Sequence, residues 1–188
     1  ASVGDSADLT IEATPREGGA TAIAISGDAP RARIAGSLAL DGPAITTTGA
    51  PLTLTLDRPD AALAGYLAGA GIELTGASGL TITLDALAIN LEQLGKGDLS
   101  TLAMDLNAGV DRLDAVLAET GERVSIENAT LGVRTPGVAR GVRVKAGNKF
   151  TLDGSPAGRI DADLTATDLL DPSGAPAQGL PSNVRGRI

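Results

Sequence analysis

The chain has 188 residues, enough for one domain with a sizeable core, and carries 15 Lys and Arg against 23 Asp and Glu, a net charge of −8. Histidine, cysteine and tryptophan are absent, and the aromatic residues are Tyr66 and Phe150 alone. This composition removes the usual general base near neutral pH, Ser-His-Asp and Cys-His nucleophiles, thiol redox chemistry and nearly all zinc, copper and haem ligation, and the acidic balance without a Lys/Arg cluster argues against nucleic acid as a partner.

The hydropathy pattern has period two almost from the first residue. Leu9, Ile11 and Ala13 alternate with polar neighbours, followed by Ile23 and Ile25, then by Ala32, Ile34, Gly36, Leu38 and Leu40. Alternate side chains of a strand point to opposite faces, so each segment predicts a strand with one aliphatic and one polar side. Asp41-Gly42-Pro43 marks a turn. The next strand is the most regular, with Leu52, Leu54 and Leu56 separated by threonines, whose β-branch favours extended backbone.

The segment after it reads as one short helix near 58–69. Asp57 serves as N-cap, Pro59 occupies the first turn, and Asp60 places negative charge near the positive end of the helix dipole. Leu63, Tyr66, Leu67 and Ala70 then share a face, and Gly69 or Gly71 ends the helix. Alternation resumes with Leu80, Ile82 and Leu84, and again with Leu87, Ile89 and Leu91. Gly95-Lys96-Gly97-Asp98 turns the chain into a strand with Leu102, Met104 and Leu106. Over 111–119 the stripe of Leu113, Val116 and Leu117 suits a helical turn about as well as a strand. Further strands carry Val124 and Ile126, Leu131 and Val133, Val142 and Val144, Phe150 and Leu152, and Ile160, Ala162 and Leu164. Their turns are Gly147-Asn148-Lys149 and Asp153-Gly154-Ser155-Pro156.

The pattern predicts a mainly β fold, an antiparallel meander of about a dozen strands. Parallel strands buried on both sides would read as continuous apolar runs instead. Two arrangements satisfy the alternation. One is a curved, taco-like sheet or groove whose aliphatic face stays partly open, and the other is a closed β-sandwich in which that face is covered. Residues 1–170 form the expected β unit. Residues 171–188, with Pro172, Gly174 and Pro176, form a loop and the start of a next unit. The first and last residues read as cut points within a longer protein. No stretch has the length and apolarity of a membrane-spanning helix.

The charged pairs fit solvated strand faces. Asp161 and Asp163 share a side, as do Arg31 and Arg33, and Arg140, Arg143 and Lys145 form a loose basic group. A calcium site or an acid–base pair is the functional alternative for the carboxylates, and protection of strand edges is the ordinary role for the basic residues. No phosphate-binding loop and no Gly-x-Ser-x-Gly motif is present. The sequence therefore assigns no catalytic, cofactor-binding or metal-binding residue. The candidate functional residues are the aliphatic strand faces: Leu38, Leu40, Leu52, Leu54, Leu56, Leu80, Ile82, Leu84, Leu102, Met104, Leu106, Val142, Val144, Ile160 and Leu164.

Four stretches carry a family resemblance. They are 50–56 with the helix and 71–74 after it, 80–87, 124–131 with 136–142, and 162–171. Together they resemble the repetitive β-rich regions of large AsmA/TamB-like bacterial envelope proteins. The likeness is one of texture and brings no site residue with it. It implies a section of a long β-groove in the periplasm or cell envelope. Its partners would be lipid acyl chains or other envelope proteins, and its role would be phospholipid transport or outer-membrane assembly, with no enzymatic step and no cofactor. The alternative is a structural or adhesive β-sandwich domain of a secreted or surface protein.

Overall fold

A computed structural model describes residues 8–59, 64–65, 67–69, 71–138, 141–171, 174–175 and 183–187. Their dominant feature is one curved, open antiparallel sheet of eleven strands. The strands are β1 (Asp8–Pro15), β2 (Thr21–Ala29), β3 (Ala32–Asp41), β4 (Ala44–Thr47), β5 (Leu52–Leu56), β6 (Ile72–Asn90), β7 (Ala103–Leu117), β8 (Arg123–Thr135), β9 (Val142–Leu152), β10 (Ser155–Thr167) and β11 (Asn183–Arg187). Each pairs with the next in sequence, apart from β4 and β5, which lie end to end between β3 and β6. The eleven strands thus fill ten positions, with β1 at one edge and β11 at the other.

The interruption between β4 and β5 has a local cause. Thr48-Gly49-Ala50-Pro51 arches around Ser37 of β3. The Ser37 hydroxyl donates to the carbonyl of Thr48, the Thr48 N–H donates to the Ser37 carbonyl at 3.2 Å, and the Ser37 N–H donates to the Ala50 carbonyl at 3.3 Å. Pro51 has no N–H to contribute to a ladder, so a break before it costs no hydrogen bond.

Several segments that read as separate strands are one. The 80–84 and 87–91 stretches both belong to β6, whose 19 residues span roughly 60 Å at strand rise. A bulge joins them: Leu84 pairs with Leu106, but Ala86 pairs with Asp105 and Leu87 with Met104. One extra residue reverses the alternation, so Leu84 and Leu87 stay on the same side although two residues, not one, separate them. Residues 111–117, open to a helical reading, are extended and continue β7. The last strand, β11, pairs with β10 and so extends the same sheet.

A second change of parity crosses three strands at one level. Ser78 pairs with Arg112 and Leu80 with Val110, while Arg112 pairs with Glu127 and Val110 with Ala129. Gly79, Asp111 and Asn128 lie between these pairs. Gly79 has φ +65° and Asn128 φ +51°, a left-handed backbone that glycine adopts freely and asparagine tolerates. A side chain on Gly79 would collide with that of Asp111. Strand β9 has no such break, and it pairs both Ile126 with Phe150 and Leu131 with Ala146. Ile126 and Leu131 therefore share a face across the irregularity.

Backbone at 64–65 and 67–68 is helical, where the one short helix is expected. Asp60, Leu63, Tyr66 and Ala70 of that reading lie outside the described residues. Pro59 is fully buried. Gly71 ends the segment with φ +73° and an N–H donated to the Ala68 carbonyl at 3.1 Å. The sequence reading missed a second helical turn, Leu91–Gly95. Asn90 caps it, its side-chain oxygen accepting from the N–H groups of Glu92 at 3.0 Å and Gln93 at 3.2 Å. The cue is Asn90 with Gln93 three residues on, the spacing of an N-terminal cap, which the alternation through Leu91 obscured.

The sandwich alternative does not form. The described strands make a single sheet with no second sheet against it. The accessible area is 11776 Å², where a compact protein of 18.6 kDa has about 8,200 Å². Only Leu80, Ala115 and Val138 are buried aliphatic residues among those described.

Candidate functional site

The register assigns each aliphatic residue to a face, because directly paired residues of antiparallel strands point the same way. One row across the sheet runs Ile11, Ile25, Gly36, then Leu52, Leu84, Leu106, Val133, Val144, Leu164 and Gly186. The row beside it runs Leu9, Gly27, Ile34, Leu54, Ile82, Ala108, Leu131, Ala146 and Ala162. Leu56 pairs with Leu80, Leu38 with Ile23, Leu40 with Ile45, Met104 with Leu87, and Val142 with Ala166. The two bulge lines keep all of these on one side.

Of the residues proposed from sequence, Leu38, Leu40, Leu52, Leu54, Leu56, Leu80, Ile82, Leu84, Met104, Leu106, Val142, Val144, Ile160 and Leu164 occupy strands and share this face. Leu102 is different. It precedes β7 in the connection from the Leu91–Gly95 turn, donating its N–H to the Leu99 carbonyl and accepting from the Val138 N–H, both at 3.1 Å. Ile160 is exposed and stands opposite Asn148. Asn148 interrupts the aliphatic surface between Ala146 and Phe150, and its side-chain oxygen is buried without a hydrogen-bond partner.

The opposite face is polar and carries a trough of about 980 Å³. Thr81, Thr83, Asn107, Thr130, Arg143, Lys145, Asp161 and Asp163 line it together with Ala108, Leu131, Val133, Ala146 and Ala162 of the aliphatic rows, whereas Leu84, Leu106, Val144 and Leu164 do not. Most of the side chains around the concavity are therefore polar. Sequence reasoning anticipated a hollow lined by aliphatic residues and missed this one. Its signal was glycine at inward polar positions. Gly109, Gly132 and Gly147 line the trough and leave its floor low; the side chain of Asn107 leans over Gly132, and those of Thr130 and Asp161 lean over Gly147. A methyl at Gly132 would come within 3.1 Å of Asn107 Oδ1, and one at Gly147 within 3.2 Å of Asp161 Oδ1.

The charges around the trough are matched to one another. Arg143 grips Asp163 with two hydrogen bonds, 2.7 and 2.5 Å, and Lys145 lies 4.0 Å from the same carboxylate. Arg134 pairs with Asp105 at 3.4 Å and Arg159 with Asp161 at 2.6 Å. The hydrogen bond from Arg143 holds the Asp163 carboxyl below its ordinary pKa, as expected for a carboxylate facing a guanidinium. Asp161 and Asp163, read from the sequence as a solvated pair, do share a side, but each is engaged by an arginine. Arg33 likewise pairs with Asp28 at 3.1 Å, and Arg140 lies outside the described residues. Among the described residues no group of three or more Asp and Glu is placed to hold a metal ion, and no helix is long and apolar enough to cross a membrane.

Comparison with protein-family models, with curated protein sequences and with solved structures finds no match to this chain.

Proposed function

We propose that this chain is a non-enzymatic section of a bacterial envelope protein whose aliphatic sheet face contacts lipid acyl chains, in support of phospholipid transport or outer-membrane assembly. One observation carries the reading. Leu, Ile and Val from consecutive strands occupy a single face, and no second sheet among the described residues covers it. An apolar sheet face normally packs against another layer. Here acyl chains supply that layer, each buried methylene contributing about 0.8 kcal/mol. The lining suits such a ligand, because Leu, Ile, Val and Ala form a smooth surface without the aromatic anchors that fix a rigid ligand. The resemblance in texture to AsmA/TamB-like proteins supports the same reading, together with a periplasmic or cell-envelope location. The polar trough is assigned no part in acyl binding.

The test is direct. The purified chain is extracted with organic solvent and analysed by mass spectrometry for co-purified lipid, and a fluorescent fatty-acyl probe is titrated against it. Bound lipid and saturable probe binding are expected. Leu54→Asp or Leu131→Asp, each placing a charge within the aliphatic rows, should weaken probe binding by roughly tenfold or more, the penalty of burying an unpaired charge. A chain that carries no lipid and binds no probe overturns the proposal.

A further inference from the structure

The two edges of the sheet are complementary to each other. Among the described residues, strand β1 has a neighbour on one side only, and so has β11. The polar side of β1 presents Asp8, Thr10, Glu12 and Thr14, whereas that of β11 presents Arg185 and Arg187, paired with Thr165 and Asp163 of β10. The aliphatic side shows a second match. Among the described residues the three most exposed large aliphatic side chains are Ile11 at 62%, Leu9 at 61% and Val184 at 53%, all of them on the two edge strands. An open edge offers unpaired N–H and C=O groups to any strand of suitable chemistry.

The strand count adds a geometric condition. Neighbours in this sheet are antiparallel throughout, and the strands fill ten positions. With an even number of positions, β11 runs opposite to β1. A second copy placed beside the first in the same orientation would set its β1 antiparallel to β11, continuing both the alternation of direction and the aliphatic face. An odd number would have required a parallel pair at the junction.

We infer that the β1 edge of one copy pairs with the β11 edge of another, so that the chain associates head to tail through sheet continuation. The occupant of each edge is a second copy of this chain. Charge selects this arrangement over its rivals. Two β1 edges would oppose Asp8 and Glu12 to their own kind, and two β11 edges would oppose Arg185 and Arg187. Like charges directly opposite across strands are unfavourable, whereas unlike charges contribute favourably. A head-to-tail contact does not close on itself as a two-fold dimer does, so it propagates into longer assemblies. The inference goes beyond lipid binding and stands whatever covers the aliphatic face.

Sedimentation equilibrium on the purified chain tests it. The weight-average mass should rise with concentration beyond that of a dimer. Association should fall roughly tenfold between about 0.05 M and about 0.5 M salt, because salt screens exposed charges. The double substitution Asp8→Lys, Glu12→Lys gives two basic edges, and Arg185→Glu cancels the positive charge of the β11 edge and sets a carboxylate against the acidic β1 edge, while leaving Arg187 beside Asp163. Each variant alone should remain monomeric, and an equimolar mixture should associate again. Circular dichroism checks that each variant keeps its β-sheet, with Glu12→Lys alone replacing the double change if the latter unfolds. A wild-type chain that stays monomeric overturns the inference, as does a mixture that stays monomeric. Association retained by Arg185→Glu and lost on changing β1 would mean β1–β1 pairing and overturns it too. Salt-insensitive association surviving both changes would mean contact through aliphatic faces, which is equally fatal to it.

Discussion

Leu80 and Leu9 lie on the same face of the same sheet, yet Leu80 is buried and Leu9 is among the most exposed aliphatic residues. Leu80 sits in β6 between Leu56 of β5 and Val110 of β7. Leu9 sits in β1, with Gly27 on its only flank, where there is no side chain to cover it. In a two-layer domain the opposite layer would bury both residues. In this single sheet lateral neighbours supply shelter, and the edge position of β1 leaves Leu9 with a glycine beside it; small neighbours expose Leu131 in the same way, between Ala108 and Ala146 in central strand β8.

The contrast can be broken experimentally, most decisively at the centre. Leu80→Ala should lower unfolding free energy by about 2–5 kcal/mol, the range for deleting a buried leucine side chain, as read from urea titration. A cost near zero would mean that the centre is no better packed than the edge. Gly79→Ala should cost about 1–3 kcal/mol, since it forces a side chain into a left-handed backbone against Asp111. The loss should appear in the same titration, and a neutral result would remove the shared irregularity of β6, β7 and β8 as a structural requirement.

Asn148→Val sharpens the contrast from the other direction. It removes a buried oxygen with no partner and should raise stability by about 1 kcal/mol, visible as a higher urea midpoint; a lower midpoint would show that the amide is held by something essential. Acid supplies a smaller effect. Asp114 of β7 accepts hydrogen bonds from Arg112 and from the Ser125 hydroxyl, and these hold its carboxyl below the ordinary value. A carboxyl depressed in the folded state contributes stability above its unfolded pKa of about 3.9, and that contribution disappears as pH falls through the folded value. Asp114→Asn should therefore lower stability at pH 7, with the difference from wild type shrinking as pH falls below about 4, as followed by thermal melts across that range. Leu9→Ala should change stability least, by under about 0.5 kcal/mol; a cost matching that of Leu80→Ala would erase the difference between edge and centre.

The alternation made much of the fold readable. Leu52-Thr53-Leu54-Thr55-Leu56 became β5 as read, and the antiparallel meander followed from short turns between alternating segments. The boundaries inside the long strands were not readable in the same way. The step from Leu84 to Leu87 changes parity, which resembles the end of one strand and the start of another. Only the pairing of Leu84 with Leu106 and Leu87 with Met104 identifies it as a bulge within β6. The helical turn at Leu91–Gly95 was hidden because Leu87, Ile89 and Leu91 still alternate up to its first residue. The trough was hidden because its floor is made by missing side chains at Gly109, Gly132 and Gly147, and glycine in a strand looks the same whether it lowers a floor or marks a weak point.

By itself the sequence determined that one side of each ribbon would be aliphatic and the other polar, because successive side chains of extended backbone must point opposite ways. It also determined that histidine and thiol chemistry have no residues to work with. Only the tertiary structure decided that the ribbons remain one open layer, since alternation is equally satisfied when a second sheet covers the aliphatic side. The pairing decided which side chains flank each leucine, and the cross-strand register, through its bulges, decided that the aliphatic residues of strands broken in parity still meet on a common face.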